Sequence, residues 1–507
     1  MKKNLIVTTQ GSNLQIYDKI FRKLNYNGKI GFYTSFYRNF KNFKNKHDRN
    51  FFYLKEWEIF KESNLSKKRI NFVKLNQMFK PGILWNSILS DRRLIYGKHC
   101  KYLEDYKCRF RDNELYKLIF TFVESFEKFF NFIKPDVLVG SVPVTFGEYL
   151  AIKYCEKKNI PTLQFHSSRL SNYFSLHDKT LGSSSHFLNI KKRGTFSVST
   201  KAEAEKIIKN INSNGIIYEG VSVKKKSKIK IFNFIRDLLY SLKGEYLKYM
   251  DPISRNDHHD PGFISYWFVK NLLYPLKIFH NQSMLKKSKR LFSFNDLKDI
   301  GEFCFFPLHT EPEVSIQILG RPYHKNQIEL LRNLGASLPF GMKLLVKEHP
   351  RSIGKRSSEF YERLLEIPNL FFIDSNLGSF DIVRKSKFIS VISSTIGLEA
   401  IIMKKPVLVL GFPKYGDIFE KGIIRCYNLF ELPQKIQKVV EMKTLTSKDI
   451  SRSVCSIIEG SVAVNFYSKI LKKRDRFSKD NELLESEELD ILINYFNERI
   501  NKILKRT

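Results

Sequence analysis

The chain has 507 residues, 42% of them hydrophobic and 14% aromatic, with 87 Lys and Arg against 51 Asp and Glu for a formal charge of +36. That much apolar material excludes a disordered polymer, and the length asks for two domains rather than one core. No uncharged apolar run reaches the roughly 18 residues of a membrane span, while the charge turns the chain toward polyanions: phosphorylated substrates, an anionic membrane face or nucleic acid.

Residues 4–9, NLIVTT, read as a first strand, and Gly11-Ser12 as a turn into a helix. The apolar run behind Lys2 and Lys3 is too short for a signal-peptide core, so a cytoplasmic location is expected. Two more strands are expected at KIGFYTS (29–35) and INFVKLN (70–76). The patch RNFKNFKNKHDRN (38–50) reads as a solvated basic face. Residues 114–133, ELYKLIFTFVESFEKFFNFI, carry a broad apolar stripe that includes Leu118, Phe122, Phe126, Phe129 and Ile133; this predicts an amphipathic helix, ended by Pro135.

A β-α-β unit follows: DVLVGS as strand, TFGEYLAIKYCEKKN as helix, PTLQFHSS as strand. The six cysteines, Cys100, Cys108, Cys155, Cys304, Cys426 and Cys455, form no CxxC pair and no zinc-spaced cluster, so reduced thiols are expected.

Residues 225–295 read as a basic helical connector. KKKSKIKIFNFIRDLLYSLK (224–243) and KKSKR (286–290) lie beside aromatic and aliphatic residues. Such a pattern suits a helix resting on an anionic bilayer, and equally a solvated basic face. No nucleic-acid-binding signature accompanies the charge, so nucleic acid is not expected as a partner.

Residues 296–445 are more regular. FCFFPLH, KLLVKEHP, LFFIDS, FISVISS and PVLVLG read as strands alternating with four helices, a doubly wound α/β domain. Residues 446–507 read as closing helices. The expected architecture is GT-B-like: an N-terminal Rossmann-like domain (1–224), the connector (225–295), a C-terminal Rossmann-like domain (296–445) and C-terminal helices (446–507).

In an open α/β sheet, ligands bind beyond the carboxyl ends of the strands. There KLLVKEHP stops being apolar at Lys347, Glu348, His349 and Pro350, and FISVISS ends in Ser393, Ser394 and Thr395, with Glu399 in the following helix. Hydroxyls and open N–H groups at a helix start suit a phosphate. PLHTEPEVS brings His309, Glu311 and Glu313 to a proline-braced loop, as acid/base work requires. In the first half, Gly11, Ser141, Glu148, His166 and Arg169 stand at or near strand ends as candidate acceptor-side residues. No obligatory metal is expected, since no DxD-type pair stands in a suitable loop.

The stretches FPLHTEPEVS, QIELLRNLGASLPFGMKLLVKEHP, FYERLLEIPNLFFIDSN and ISSTIGLEAIIMKKPVLVLG resemble the bacterial capsule polysaccharide biosynthesis (surface-carbohydrate) glycosyltransferases; KPDVLVGSVPVTFGEYLA and IPTLQFHSSRLSNYF match more loosely. The resemblance covers about residues 300–415. It implies a metal-independent transferase using a nucleotide sugar, with a CMP-activated acidic sugar such as Kdo (3-deoxy-manno-octulosonic acid) or sialic acid favoured. Bacterial sialyltransferases of similar fold bind CMP through His-Pro and Ser-Ser/Thr motifs, which here would be His349-Pro350 and Ser393-Ser394-Thr395. A glycan or lipid-linked acceptor goes with the same resemblance, and the basic surface adds a peripheral position on the inner membrane as an expectation. A UDP-sugar transferase, a UDP-sugar 2-epimerase and a non-catalytic assembly protein are the alternatives. One departure is local: the relatives' GKPV reads KKPV, with Lys404 in the glycine's place.

Overall fold

All five residues of the LIVTT run are buried, which an apolar strand between two others requires. The computed structural model describes residues 3–9, 13–24, 26–43, 50–66, 68–95, 102–103, 110–220, 231–250, 263–288, 290–293, 295–311, 313–320, 326–349, 352–375, 377–443, 445–472 and 485–505. Six strands come from the first half: β1 (Leu5–Thr9), β2 (Ile30–Thr34), β3 (Phe51–Lys55), β4 (Val137–Ser141), β5 (Thr162–Ser167) and β6 (Tyr173–His177). Seven come from the second: β7 (Leu291–Phe292), β8 (Phe303–Pro307), β9 (Lys343–Lys347), β10 (Leu370–Ile373), β11 (Phe388–Val391), β12 (Val407–Val409) and β13 (Ile423–Arg425). A last short strand, β14 (Val462–Ala463), follows them.

They form two seven-stranded sheets, ordered β14-β6-β5-β4-β1-β2-β3 and β13-β12-β11-β8-β9-β10-β7. In the second sheet every pairing is parallel. In the first, β1 to β5 pair in parallel, while β6 and β14 add antiparallel edges. In the first sheet the chain starts in the middle at β1, runs outward over β2 and β3, then crosses to β4; in the second it enters at the edge strand β7, passes to the central β8, runs outward over β9 and β10, then crosses to β11. The strand order therefore reverses between β1 and β4 in one lobe and between β8 and β11 in the other. Two Rossmann-like lobes are thus present, as expected from the sequence. Gly140, in β4, lets that strand close on β1: a Cβ there would fall 1.9 Å from Thr8 Oγ1.

INFVKLN is not a strand. Phe72–Met78 is a helix whose start is capped by the Asn71 side chain, which accepts from Lys74 N–H at 2.9 Å. Only Leu75 is buried in it, so its apolar alternation has no sheet to serve. The strand β3 sits instead at Phe51–Lys55.

The lobes exchange elements. Helices Ser185–Arg193 and Val198–Asn214 pack with helix Ser447–Glu459, and Leu170, Phe187, Ile207 and Ile211 join the core beneath β8 and β11. Helix Glu485–Leu504 returns to the first lobe, where Leu492, Phe496 and Ile500 are fully buried. Between the lobes, helices Ile231–Met250 and Tyr274–Lys287 belong to the connector, and Tyr274–Lys287 packs on helix Ser358–Leu365. No helix among the described residues is long and apolar enough to cross a membrane.

At the KKPV turn, Lys404 adopts φ = 59°, a left-handed conformation that glycine takes without strain. The turn therefore forms with a lysine in the left-handed region.

Candidate functional site between the lobes

The strand β8 lies between β9 and β11, so the loops after these three strands stand side by side at the switch point of the second sheet. Two residues beyond β9 is His349; two beyond β8 is His309; two beyond β11 is Ser393. Neighbouring strands are about 4.8 Å apart, which puts the outer two loops on the order of 10 Å from each other with His309 in the middle. The histidines are close enough that His349 helps hold down the protonation of His309.

His309 is buried. Its backbone N–H donates to Gln327 Oε1 at 2.8 Å, and its carbonyl accepts from Gln327 and from Arg356. Burial, then His349 and Arg356, push its pKa down to about 3, so its imidazole is neutral at physiological pH. Its Nε2 and the Thr310 hydroxyl are buried without a hydrogen-bond partner among the described residues.

Arg356 organises this loop. It is fully buried, and its guanidinium donates to Glu348 Oε2 at 2.9 Å and lies 3.7 Å from Glu311 Oε2. Tyr361 OH donates to the same Glu348 oxygen at 2.9 Å, and Glu348 Oε1 accepts the backbone N–H of His349 at 2.7 Å. Gln327 donates to Glu311 Oε1. One cation therefore ties the loop after β8 to the loop after β9. Glu311 is buried in this network, whereas Glu313 is half-buried and accepts from Ser315 Oγ at 3.1 Å. The short helix Val314–Gln317 beyond it meets helix Ile83–Ser90 of the first lobe.

At the third loop, Ser393 Oγ donates to the Ser315 carbonyl at 2.6 Å, which pins this loop to the one after β8. Ser394 caps helix Thr395–Ile402 by accepting from Ile396 N–H at 3.2 Å, and Tyr415 OH holds the Ser394 carbonyl at 2.8 Å. Thr395 opens the helix with its side chain half-buried. At the end of β9, Lys347 donates to Ser379 Oγ at 3.1 Å; burial pushes its pKa down to about 8, against the pull of Glu399 and Asp374. Glu399 lies under the segment leaving helix Val198–Asn214 and accepts from Ile216 N–H; burial raises its pKa to about 7.

In the first lobe, Ser141 Oγ lies 3.2 Å from both Asn13 Nδ2 and Tyr17 OH, at the switch point between β1 and β4. Glu148 is buried and accepts from Val144 N–H at 2.9 Å and Thr145 N–H at 3.1 Å, while Thr145 Oγ1 accepts from Glu148 N–H. This is a capping box, so the carboxylate serves the start of helix Phe146–Lys157. His166 and Arg169 reach the junction of the lobes. Lys414, from the second lobe, donates to the carbonyls of Lys179 and Thr180; burial, then Arg169 and Lys414, keep His166 neutral. The Arg169 guanidinium stacks over the Tyr218 ring at 4.7 Å. Gly11 and Pro350 lie outside the described residues.

Arg356, Gln327, Tyr361 and Lys414 escaped the sequence reading. Arg356 stands in a basic loop, RSIGKRSSEF, where nothing separates it from a surface arginine. Among the described residues no group of three or more His, Cys, Asp or Glu has a metal-binding arrangement.

Two Rossmann-like lobes with polar strand ends at their switch points, where open α/β sheets bind ligands, define a class of two-domain α/β proteins. Within it, the sequence model of the family described as "Capsule polysaccharide biosynthesis protein" matches residues 259–418, about a third of the chain, and bears out the resemblance read from the motifs. None of the curated proteins matches the sequence. Among solved structures, the chain is similar to Thermosulfurimonas dismutans KpsC, beta Kdo 2,7 transferase (14% identity, TM-score 0.36, 73% of this chain and 89% of that one). It is also similar to the beta Kdo 2,4 transferase of the same organism's KpsC (13%, TM-score 0.31, 63% and 87%). A third is the UDP-GlcNAc 2-epimerase of Methanocaldococcus jannaschii (12%, TM-score 0.25, 90% and 99%). Similarity at this level decides neither the donor nor the reaction.

Proposed function

We propose that the protein is a metal-independent glycosyltransferase of capsule polysaccharide biosynthesis that uses a nucleotide sugar, with a CMP-linked acidic sugar as donor. The observation that carries this reading is the row of three adjoining loops, His349, His309–Thr310 and Ser393–Thr395, at the switch point of the second lobe. The donor phosphate sits at the start of helix Thr395–Ile402, where the N–H groups of the first turn and the Thr395 hydroxyl face an anion. His349 donates to the phosphate or ribose. The Nε2 of His309 and the Thr310 hydroxyl, buried among these loops, supply polar contacts to the donor. Lys347 adds positive charge beneath the same loops.

The acceptor hydroxyl approaches from the first lobe. Of the two carboxylates in PLHTEPEVS, Glu311 is fixed by Arg356 and Gln327, while Glu313 is the more accessible and stands where the second lobe meets helix Ile83–Ser90. Glu313 takes the acceptor proton as the new C–O bond forms. The bond from the sugar to CMP breaks, and its electron pair leaves on the phosphate oxygen, where the helix start and His349 stabilise the charge. The basic surface suits both an anionic donor and an anionic inner-membrane face carrying a lipid-linked acceptor.

The test is a thermal-shift and turnover screen of CMP, UDP, GDP and their sugars with the wild type, His349→Ala and Thr395→Val. CMP is expected to raise the wild-type melting temperature, because a ligand that binds only the folded state stabilises it. Both variants should fold normally and lose about tenfold or more in turnover. A shift with UDP and none with CMP assigns a UDP-sugar transferase or epimerase instead. No response to any nucleotide sugar leaves a non-catalytic assembly protein.

A further inference from the structure

The connector contains two helical arms, Ile231–Met250 and residues 263–287, that carry their apolar residues outward. On helix Ile231–Met250, Leu239, Tyr240, Tyr246, Leu247 and Met250 are between 45% and 68% exposed. At 100° per residue these five fall within about 120° of one another, on a single stripe, with exposed Lys243 in its middle. The opposite side of that helix is polar and faces the second arm. Glu245 is buried and pairs with Lys270 at 3.4 Å, Ser241 meets Asn271 at 3.3 Å, and Trp267 Nε1 donates to the Leu238 carbonyl at 3.3 Å. In the second arm, Ile264 and Phe268, one turn apart, and Leu276 and Phe279 are between 45% and 76% exposed. This is amphipathicity turned inside out: the polar groups satisfy each other between the two arms, and the oily face is left to the surroundings.

We propose that this face is a membrane-docking surface, the partner being an anionic phospholipid bilayer in whose headgroup region the two arms lie without crossing it. The proposal rests on the reading of the protein as a transferase working at a membrane, and it names the element that makes the contact. Charge selects this occupant over a second copy of the chain. Residues 224–290 contain 15 Lys and Arg against five Asp and Glu, so two such surfaces repel while an anionic lipid surface attracts them. Tyrosines, leucines and phenylalanines ringed by lysines are the composition of an interfacial helix, whose lysine stems snorkel to the headgroups.

The attachment of the second arm gives docking a consequence for the site. Ile278 packs under Gly354, where any Cβ would meet it at 2.1 Å, and Asn281 donates to the Arg356 carbonyl at 3.0 Å. Arg356 is the cation that holds the loops after β8 and β9. An arm seated on the bilayer therefore carries the donor loops to the surface at which a lipid-linked acceptor is presented.

The experiment is co-sedimentation of the full chain with phosphatidylcholine vesicles and with mixed phosphatidylcholine–phosphatidylglycerol vesicles, at low and high salt. Wild-type protein is expected in the pellet only with the mixed vesicles, less so at high salt. The double variant Leu239→Asp/Leu247→Asp, exposed positions that leave the melting temperature unchanged, should bind about tenfold more weakly or worse. Lys286→Glu/Lys287→Glu should weaken binding mainly at low salt. Equal pelleting of the leucine variant and the wild type overturns the proposal, as does a wild type that stays in solution. Loss of a dimer in the leucine variant, with vesicle binding unchanged, would assign the face to a second copy. Transfer to a water-soluble acceptor separates the two readings: vesicle binding without nucleotide-sugar turnover sinks the proposed function alone, and the converse sinks the docking surface alone.

Discussion

At His309 a single imidazole shows what burial does to chemistry. With its pKa moved from 6.5 to about 3, it stays neutral in the folded protein while the unfolded chain binds a proton below 6.5. Between those values the unfolded state therefore holds more protons, and stability from this group falls as pH falls. The slope reaches about 1.4 kcal/mol per pH unit. Glu399 works in the opposite sense, because its carboxyl, raised to about 7, favours the folded state less as pH rises from 4.5 to 7. A comparison of urea unfolding across pH 4–7 for wild type and His309→Asn isolates the first effect, since Glu399 is common to both. The variant's stability should fall less steeply toward acid; parallel curves would show that the imidazole is not held neutral. The same site explains what could be read in advance. His309, His349 and Ser393 were visible because polar residues broke apolar strands at their ends. Arg356 was not, because its importance lies in meeting Glu311 and Glu348 from two other segments, which no local pattern records.

In each lobe an arginine braces two carboxylates. Arg356 holds Glu311 and Glu348; Arg93 holds Glu56 at 2.7 Å and Asp91 at 2.6 Å, and Asp91 in turn accepts from Phe146 N–H at 2.8 Å. In the first lobe the brace and the Thr145–Glu148 capping box together satisfy the start of helix Phe146–Lys157. Glu148 is then expected to act on stability rather than on chemistry. Glu148→Gln, which still offers an accepting oxygen to Val144 and Thr145 N–H, should retain most turnover and lose little melting temperature. Glu148→Ala should cost about 1–2 kcal/mol, because buried donors lose their acceptor. A collapse of turnover in a well-folded Glu148→Gln protein would return this carboxylate to the list of reacting groups. The elements themselves were legible where burial was complete. The parallel strands β8 to β12 appear as short apolar runs because both faces are covered. By contrast, β3 is mostly half-buried and sits in a Lys/Phe/Asn-rich region, and Phe72–Met78 is an exposed helix with a strand-like composition.

Across the whole molecule, the chain does not finish where its sequence order suggests. Residues beyond 446 read as helices, but periodicity names a buried face without naming what buries it. Helix Ser447–Glu459 completes the second lobe, whereas β14 pairs with β6 and helix Glu485–Leu504 packs on helix Asn13–Lys23 in the first. The two lobes are thereby tied by the connector and by this returning segment, and each depends on chain from the far end of the sequence. Phe496 sits fully buried between the Tyr17 and Phe165 rings, with centroids 6.0 and 5.4 Å away. Phe496→Ala should cost about 3–5 kcal/mol, the sum of lost burial and the cavity left behind. The loss should fall on the N-terminal lobe although the substitution lies near the C-terminus. Hydrogen exchange is the measurement: amides of β1, β4 and β5 should lose protection while those of β8, β9 and β11 keep theirs. A nucleotide seated on the second lobe should protect that lobe without rescuing the first. If protection is lost equally in both sheets, the lobes unfold as one unit and the returning helix is a strut for the whole rather than a part of the first core.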